Sequence, residues 1–235
     1  MKNVLTELVT VEDVKKIEKV SKNVSEKYVP IFTSDVIDIM EPDFVFVGGV
    51  KWHKNTTQHY IEMKRGNDFI RIYNSFDRTA AFRMFYKGEV SIDLGIDKLV
   101  HRGKKAASFK EILENSKDEI VEAIDRTKNG IVQLNQIQVT PELQKKISDV
   151  VFGKHLKKKG FQSYTNYVDS IVEEKGMSVL SYIKSTIANY NKGLYTVTIK
   201  GVKKEGREKK SLFTKLKIEG KVNKFLLSEY PELFL

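Results

Sequence analysis

Apolar residues recur along this chain with two periods, and the change from one to the other divides it. Val11, Val14, Ile17 and Val20 are spaced as one face of a helix, with Lys15, Lys16 and Lys19 off the stripe. Thr10 offers a capping hydroxyl, and Glu12 and Asp13 the acids of a first turn, so an amphipathic helix of about three turns is predicted. Thr33 to Met40 predicts a short helix capped by Thr33 or Ser34 and ended by Pro42. The period then shortens to two. Phe44-Val45-Phe46-Val47 predicts a strand stopped by Gly48-Gly49, and Thr57 to Met63 alternates with His59, Ile61 and Met63 on one face. Residues 64 to 68 form a hairpin loop that returns as Phe69 to Tyr73. Asn74-Ser75-Phe76-Asp77 is turn chemistry. Ala80 to Tyr86 and Glu89 to Leu94 pair around Lys87-Gly88, and Ile96 to Val100 extends the sheet.

After Gly103 the helical period returns. Ser108-Phe109-Lys110-Glu111 is a capping box, and Phe109, Ile112, Leu113, Ile120, Val121 and Ile124 continue one helix to a stop at Asn129-Gly130. Thr140-Pro141-Glu142 opens another, with Leu143, Ile147, Val150 and Val151 as its stripe and Gly153 as its stop. Tyr164, Tyr167, Val168 and Ile171 mark a further helix; Leu180, Ile183, Ile187 and Tyr190 mark the next, ended near Gly193. Leu194 to Ile199 alternates as a strand, and Val222 to Leu227 is a terminal helix. The predicted fold class is α+β: an antiparallel sheet from the first half, near residues 43 to 100, packed with helices and followed by a basic, mostly helical C-terminal half. The expected organisation is an N-terminal helix and linker (1–30), an α+β core (31–153) and a basic region (154–235), joined as one continuous domain.

Composition changes this picture in one respect. At 40% hydrophobic and 31% charged residues the chain has the makings of a core. Cysteine is absent, which excludes disulfides and thiolate metal sites. No apolar run has the length of a signal peptide or a membrane span, so a cytoplasmic protein with no membrane partner is expected. The net charge of +10 is unevenly placed: from Lys154 onward there are 17 Lys/Arg against 8 Asp/Glu, and before it 24 against 23. A basic final third is the electrostatic footprint of a polyanion partner, or a solvated face.

The segment Asn74-Ser75-Phe76-Asp77-Arg78, followed by Ala81-Phe82, resembles the N-S-H-D-G-S-x-A signature of the phage/plasmid-like protein family (domain of unknown function, number 932). His101-Arg102-Gly103 before the Ser108 helix matches its R-H-x-G element in kind. Thr140-Pro141-Glu142, Asn189 to Gly193, Arg207 and Val222-Asn223-Lys224-Phe225-Leu226 follow its later pattern, which closes on V-N-x-x-L. The likeness runs from about Pro30 to Leu227. Phe76 stands where the family has His and Arg78 where it has Gly, so no role of that His carries over. The resemblance implies a mobile-element setting, near replication or recombination, and no particular reaction.

The residues themselves point the same way. No Gly-x-Ser-x-Gly, Walker loop, Gly-x-Gly-x-x-Gly or His-Glu-x-x-His occurs, and His53, His59, His101 and His155 share no metal-ligand spacing. No catalytic residue, metal or cofactor is therefore assigned. Asp43, Glu62 and Lys64 match a short Mg²⁺-nuclease pattern of hard oxygen ligands with a lysine, which is also ordinary for a half-exposed strand. Glu89, Ser91 and Asp93, with Asp97 nearby, read as a polar strand face in preference to an acidic metal cluster. Two basic groups remain. Arg71 with Tyr73, and Arg83 with Phe85, share strand faces, with Arg78 in the turn between, as a stacking platform for single-stranded nucleic acid requires. Lys200, Lys203, Lys204, Arg207, Lys209, Lys210, Lys215 and Lys217 crowd one stretch, suited to phosphates and not to base edges. The expected function is that of a phage-type, sequence-tolerant nucleic-acid-binding accessory protein of replication or recombination, single-strand annealing included, working as a homo-oligomer. The alternatives are an inhibitor that binds a host defence or replication protein, a Mg²⁺-dependent nuclease, and a virion structural protein.

Overall fold

The computed structural model describes residues 6–18, 30–51, 58–76, 81–99, 108–156, 161–166, 176–199, 202–209 and 212–235. They form two compact units, Met1–Thr127 and Lys128–Leu235. The division lies inside a helix, just before Asn129-Gly130, where the sequence predicts that helix to stop.

The first unit is an antiparallel meander of six strands in chain order: β1 (Thr6–Leu8), β2 (Val45–Lys51), β3 (His59–Arg65), β4 (Asp68–Asn74), β5 (Arg83–Lys87) and β6 (Ser91–Asp93). Strict alternation sets the register. Ile61 faces Ile72 and Met63 faces Ile70 across the β3–β4 pair, and all four are buried. The turn between these strands is the two residues Gly66-Asn67, with Gly66 at φ 59°. Helices α1 (Val11–Ile17), α2 (Thr33–Met40), α3 (Phe109–Glu114) and the first part of α4 (Lys117–Leu134) supply Val14, Val36, Ile37, Met40, Leu113 and Ile120 to the same core. α1 opens on a full capping box, the Thr10 hydroxyl accepting from the Asp13 N–H while the Asp13 carboxylate takes the Thr10 N–H.

Several expected boundaries move. Thr33 and Ser34 do not cap α2: Phe32 precedes it without a side-chain cap, and both hydroxyl residues are buried inside the first turn. Gly48-Gly49 does not stop β2. A Cβ on Gly49 would stand 2.4 Å from the Tyr60 carbonyl, so this glycine lets two strands approach. Residues 97–99 form a 3₁₀ turn in place of a seventh strand. Ser108 makes no side-chain cap, and the long helix expected from it breaks at Asn115–Ser116 into α3 and α4.

The second unit holds the end of α4, α5 (Pro141–Leu156), α6 (Val179–Lys192), α7 (Leu212–Glu229) and α8 (Pro231–Phe234), with a three-stranded antiparallel sheet of β7 (Phe161–Asn166), β8 (Tyr195–Ile199) and β9 (Val202–Glu205). α5 packs on both α6 and α7, and Ile147, Val151, Tyr182, Ile183, Val222 and Leu226 fill the space. Gly130 does not end α4. It is an interior helical residue where a Cβ would meet the Leu233 carbonyl at 2.4 Å and the Phe234 ring at 2.8 Å. Gly153 likewise lies within α5. The helix expected at Tyr164 is instead strand β7 up to Asn166, and Tyr167, Val168 and Ile171 lie outside the described residues.

Candidate nucleic-acid interface

On the side of the six-stranded sheet away from its core, the register lays out two rows: Tyr60–Tyr73–Arg83 and Glu62–Arg71–Phe85–Asp93. Arg71, Tyr73, Arg83 and Phe85 thus share one face, and each arginine has a carboxylate opposite it or one strand away. Arg71 donates from Nε and Nη2 to Glu62 Oε1 at 3.1 and 2.9 Å, and its guanidinium lies 4.6 Å from the centre of the Tyr60 ring. Lys87 Nζ donates to the other Glu62 oxygen at 2.6 Å, and Arg83 Nη1 to Asp93 Oδ2 at 2.7 Å. Burial alone would raise the Glu62 carboxyl, but the hydrogen bonds from Lys87 and Arg71 outweigh it and hold the group below its ordinary value. The rings engage one another: Tyr73 is 5.7 Å from Tyr60 and 5.1 Å edge-on from Phe85. Arg78 lies outside the described residues.

The other motifs of this unit resolve into structure. Asn74, Ser75 and Phe76, which carry the resemblance, are all buried. Asn74 Nδ2 donates to the Ile31 carbonyl at 2.8 Å and to Thr33 Oγ1 at 3.0 Å. Thr33 Oγ1 also lies 2.7 Å from His59 Nε2, beneath the Phe76 ring at 5.0 Å from the imidazole. This node ties the start of β3, the end of β4 and the start of α2 together. Of the nuclease-like set, Glu62 is bound to Arg71 and Lys87, and Asp43 meets Lys117 at 3.4 Å. Asp93 is held by Arg83 and by the Gly95 N–H, and Glu89 falls outside β6.

The second unit is electrostatically different. It carries 20 Lys/Arg against 10 Asp/Glu, and the first unit 21 against 21, so the whole excess of +10 belongs to the second. Its most exposed basic element is β9, the outer strand of the three-stranded sheet, whose four residues are all exposed. Register pairs Lys203 with Thr198 and Lys204 with Val197. Lys203, Lys204, Arg207, Lys215 and Lys217 have no carboxylate partner among the described residues. Arg207 and Lys217 are exposed, and Lys215, on α7, is half-buried. Lys200 and Lys210 lie outside the described residues.

Lys209 stands apart from the rest of this group. The Gly206 N–H donates to the Tyr195 carbonyl and the Lys209 N–H to the Asn191 carbonyl, both at 2.7 Å. Residues 206–209 thereby lie back over the end of α6, where Gly193, at φ 78°, ends the helix. Lys209 Nζ donates to the Tyr195 hydroxyl at 2.9 Å and lies 5.0 and 5.3 Å from the centres of the Tyr190 and Tyr195 rings. Those rings are stacked at 5.7 Å, and Phe152 closes edge-on against both. Burial, and secondarily Tyr195, raises the Tyr190 phenol above its ordinary value. Sequence reasoning missed Glu62 and Asp93 as partners of the arginines, and Lys87 as the second cation on Glu62, though strand alternation and register would have found them. It missed Tyr190 and Tyr195 as a seat for Lys209, for which no local signal exists.

Comparison with protein-family models, with characterised proteins and with solved structures finds no match for the chain.

Proposed function

We propose that the protein binds nucleic acid through its second unit, by sequence-tolerant contacts to phosphates, in the replication or recombination setting that the phage/plasmid-like resemblance implies. The observation that carries this reading is the partition of charge. The first unit is neutral, with Arg71 and Arg83 held by carboxylates; the second carries the whole excess, and its Lys203, Lys204, Arg207 and Lys217 are exposed with no acidic partner among the described residues. Lysines on an open edge strand suit a backbone of phosphates, since they offer point charges and no fixed fork for base edges. The sheet face of the first unit supports the reading less: its arginines already have carboxylates, and its rings already have one another.

The test is fluorescence anisotropy with a labelled single strand and a matching duplex over a salt series. Tight binding that falls steeply with salt is expected. The double variant Lys203→Ala/Lys204→Ala should lower the salt slope by about 1.8 on the duplex and about 1.4 on the single strand, at about 0.9 and 0.7 per lost phosphate contact. Lys64→Ala/Arg65→Ala, which removes the same charge from the exposed end of the β3–β4 hairpin, should leave it unchanged. Absence of binding to either strand at low salt, or equal weakening by the two pairs, would overturn the proposal.

A further inference from the structure

The basic stretch holds two kinds of cation. Lys203, Lys204 and Arg207 are exposed and meet no acid among the described residues, whereas Lys209 is half-buried with its ammonium on two tyrosine rings and hydrogen-bonded to one of them. An ammonium in that position is a poor phosphate ligand, because leaving the rings forfeits a cation–π contact, a hydrogen bond and the order of the chain around it. Its backbone is fixed as well. The Gly206 and Lys209 amides are tied to Tyr195 and Asn191, so Arg207 lies between two anchored residues and β9 runs directly into the first. The close approach needs glycine on both sides: a Cβ on Gly206 would meet the Tyr195 ring at 2.6 Å, and one on Gly193 the Arg207 backbone at 2.6 Å.

We propose that Lys209 is a positioning residue: seated on Tyr190 and Tyr195, it latches the strap of residues 202–209 so that Lys203, Lys204 and Arg207 stand as a fixed phosphate-contacting edge, and it does not itself touch the nucleic acid. The latch follows from the geometry alone; the phosphate clause rests on the function proposed above. The two are tested by separate readouts.

Limited trypsin digestion, read by mass spectrometry, reports the latch without any ligand. Cleavage after Lys203, Lys204 and Arg207 is followed in the wild type, Lys209→Met, Lys209→Arg and Tyr195→Phe, with cleavage after the exposed Lys145 of α5 as the measure of global opening. Lys209→Met keeps length and loses the charge, and should speed strap cleavage roughly tenfold with Lys145 unchanged. Tyr195→Phe removes only the hydroxyl and should give roughly threefold; it carries the comparison if the methionine variant does not fold. Lys209→Arg, which keeps the cation, should stay near wild type. Strap cleavage at the wild-type rate in Lys209→Met, or an equal rise at Lys145, overturns the latch. In the anisotropy series, Lys209→Met should weaken binding at every salt concentration with an unchanged slope. A slope reduced by about 0.9 would make Lys209 a phosphate contact and overturn its positioning role. A wild type that binds no nucleic acid removes the function and leaves the digestion to decide the latch.

Discussion

The two units use charged residues in opposite ways. In the first, 21 basic side chains are balanced by 21 acidic ones, and three cations are built into the sheet: Arg71 and Lys87 on Glu62, Arg83 on Asp93. In the second, 20 cations face 10 acids, and the lysines of β9 project from an edge strand whose four residues are all exposed. A lysine-lined edge also resists pairing with another strand. Charge held in a network fixes a surface and leaves little field outside it. Charge without partners adds almost nothing to folding and projects into solvent, where a polyanion can use it. Raw basicity along the sequence therefore misleads, since Arg71 and Lys203 count alike until their neighbours are known.

The comparison is sharpest at Glu62. Its carboxylate accepts from two cations, and the side chains of Arg71 and Glu62 are 9% and 16% exposed. Glu62→Ala leaves a buried guanidinium without its anion and should cost the first unit about 3 kcal/mol in urea unfolding. Lys203→Ala/Lys204→Ala should stay within about 0.5 kcal/mol of wild type, since these side chains touch no acid. If Glu62→Ala costs under about 1 kcal/mol, the sheet charges are not structural and the contrast fails. The second unit has its sensitive points in packing. Gly130→Ala drives a methyl into the Leu233 carbonyl and the Phe234 ring and should destabilise by about 2 kcal/mol. Gly153→Ala has nothing within 4 Å of its Cβ and should gain about 0.5–1 kcal/mol from helix propensity. Equal effects at the two glycines would remove packing as the basis of that unit.

What the sequence disclosed tracks how local the cause is. The alternation of His59, Ile61 and Met63 against Ile70 and Ile72 placed the central strands, because a period of two in one strand determines its buried face. α6 and its Gly193 stop were legible for the same reason: a helical stripe and a left-handed cap are both written within a few residues. Gly49, Gly130 and Gly153 were misread as stops. A glycine reads as punctuation unless one knows what approaches it, and for Gly130 that is a carbonyl at Leu233, remote in sequence. β9 escaped because all its residues are exposed, so no face of it alternates. The pairing of Arg71 with Tyr73 and of Arg83 with Phe85 on strand faces followed from alternation alone, but the meeting of all four on one face, and the loss of its positive charge to Glu62 and Asp93, are matters of cross-strand register.

Acid titration gives the smallest effect and separates the units by mechanism. Because the folded Glu62 pKa lies below the unfolded one, the unfolded chain binds more protons over the interval between them, and stability there rises with pH. The contribution is fully present above the ordinary glutamate range and is lost as pH falls through the lowered value. Glu62→Gln should flatten that limb. The second unit carries 20 cations against 10 acids, so repulsion between like charges is its electrostatic load. Salt tells the two apart. Hydrogen exchange of β4 and α6 amides in acid, corrected for intrinsic rates, should show added salt raising protection of α6, because it screens repulsion between exposed charges. Protection of β4 should not recover, because a protonated Glu62 has no ion pair left to screen or strengthen. Recovery of both, or of neither, would mean that one electrostatic regime governs the whole chain.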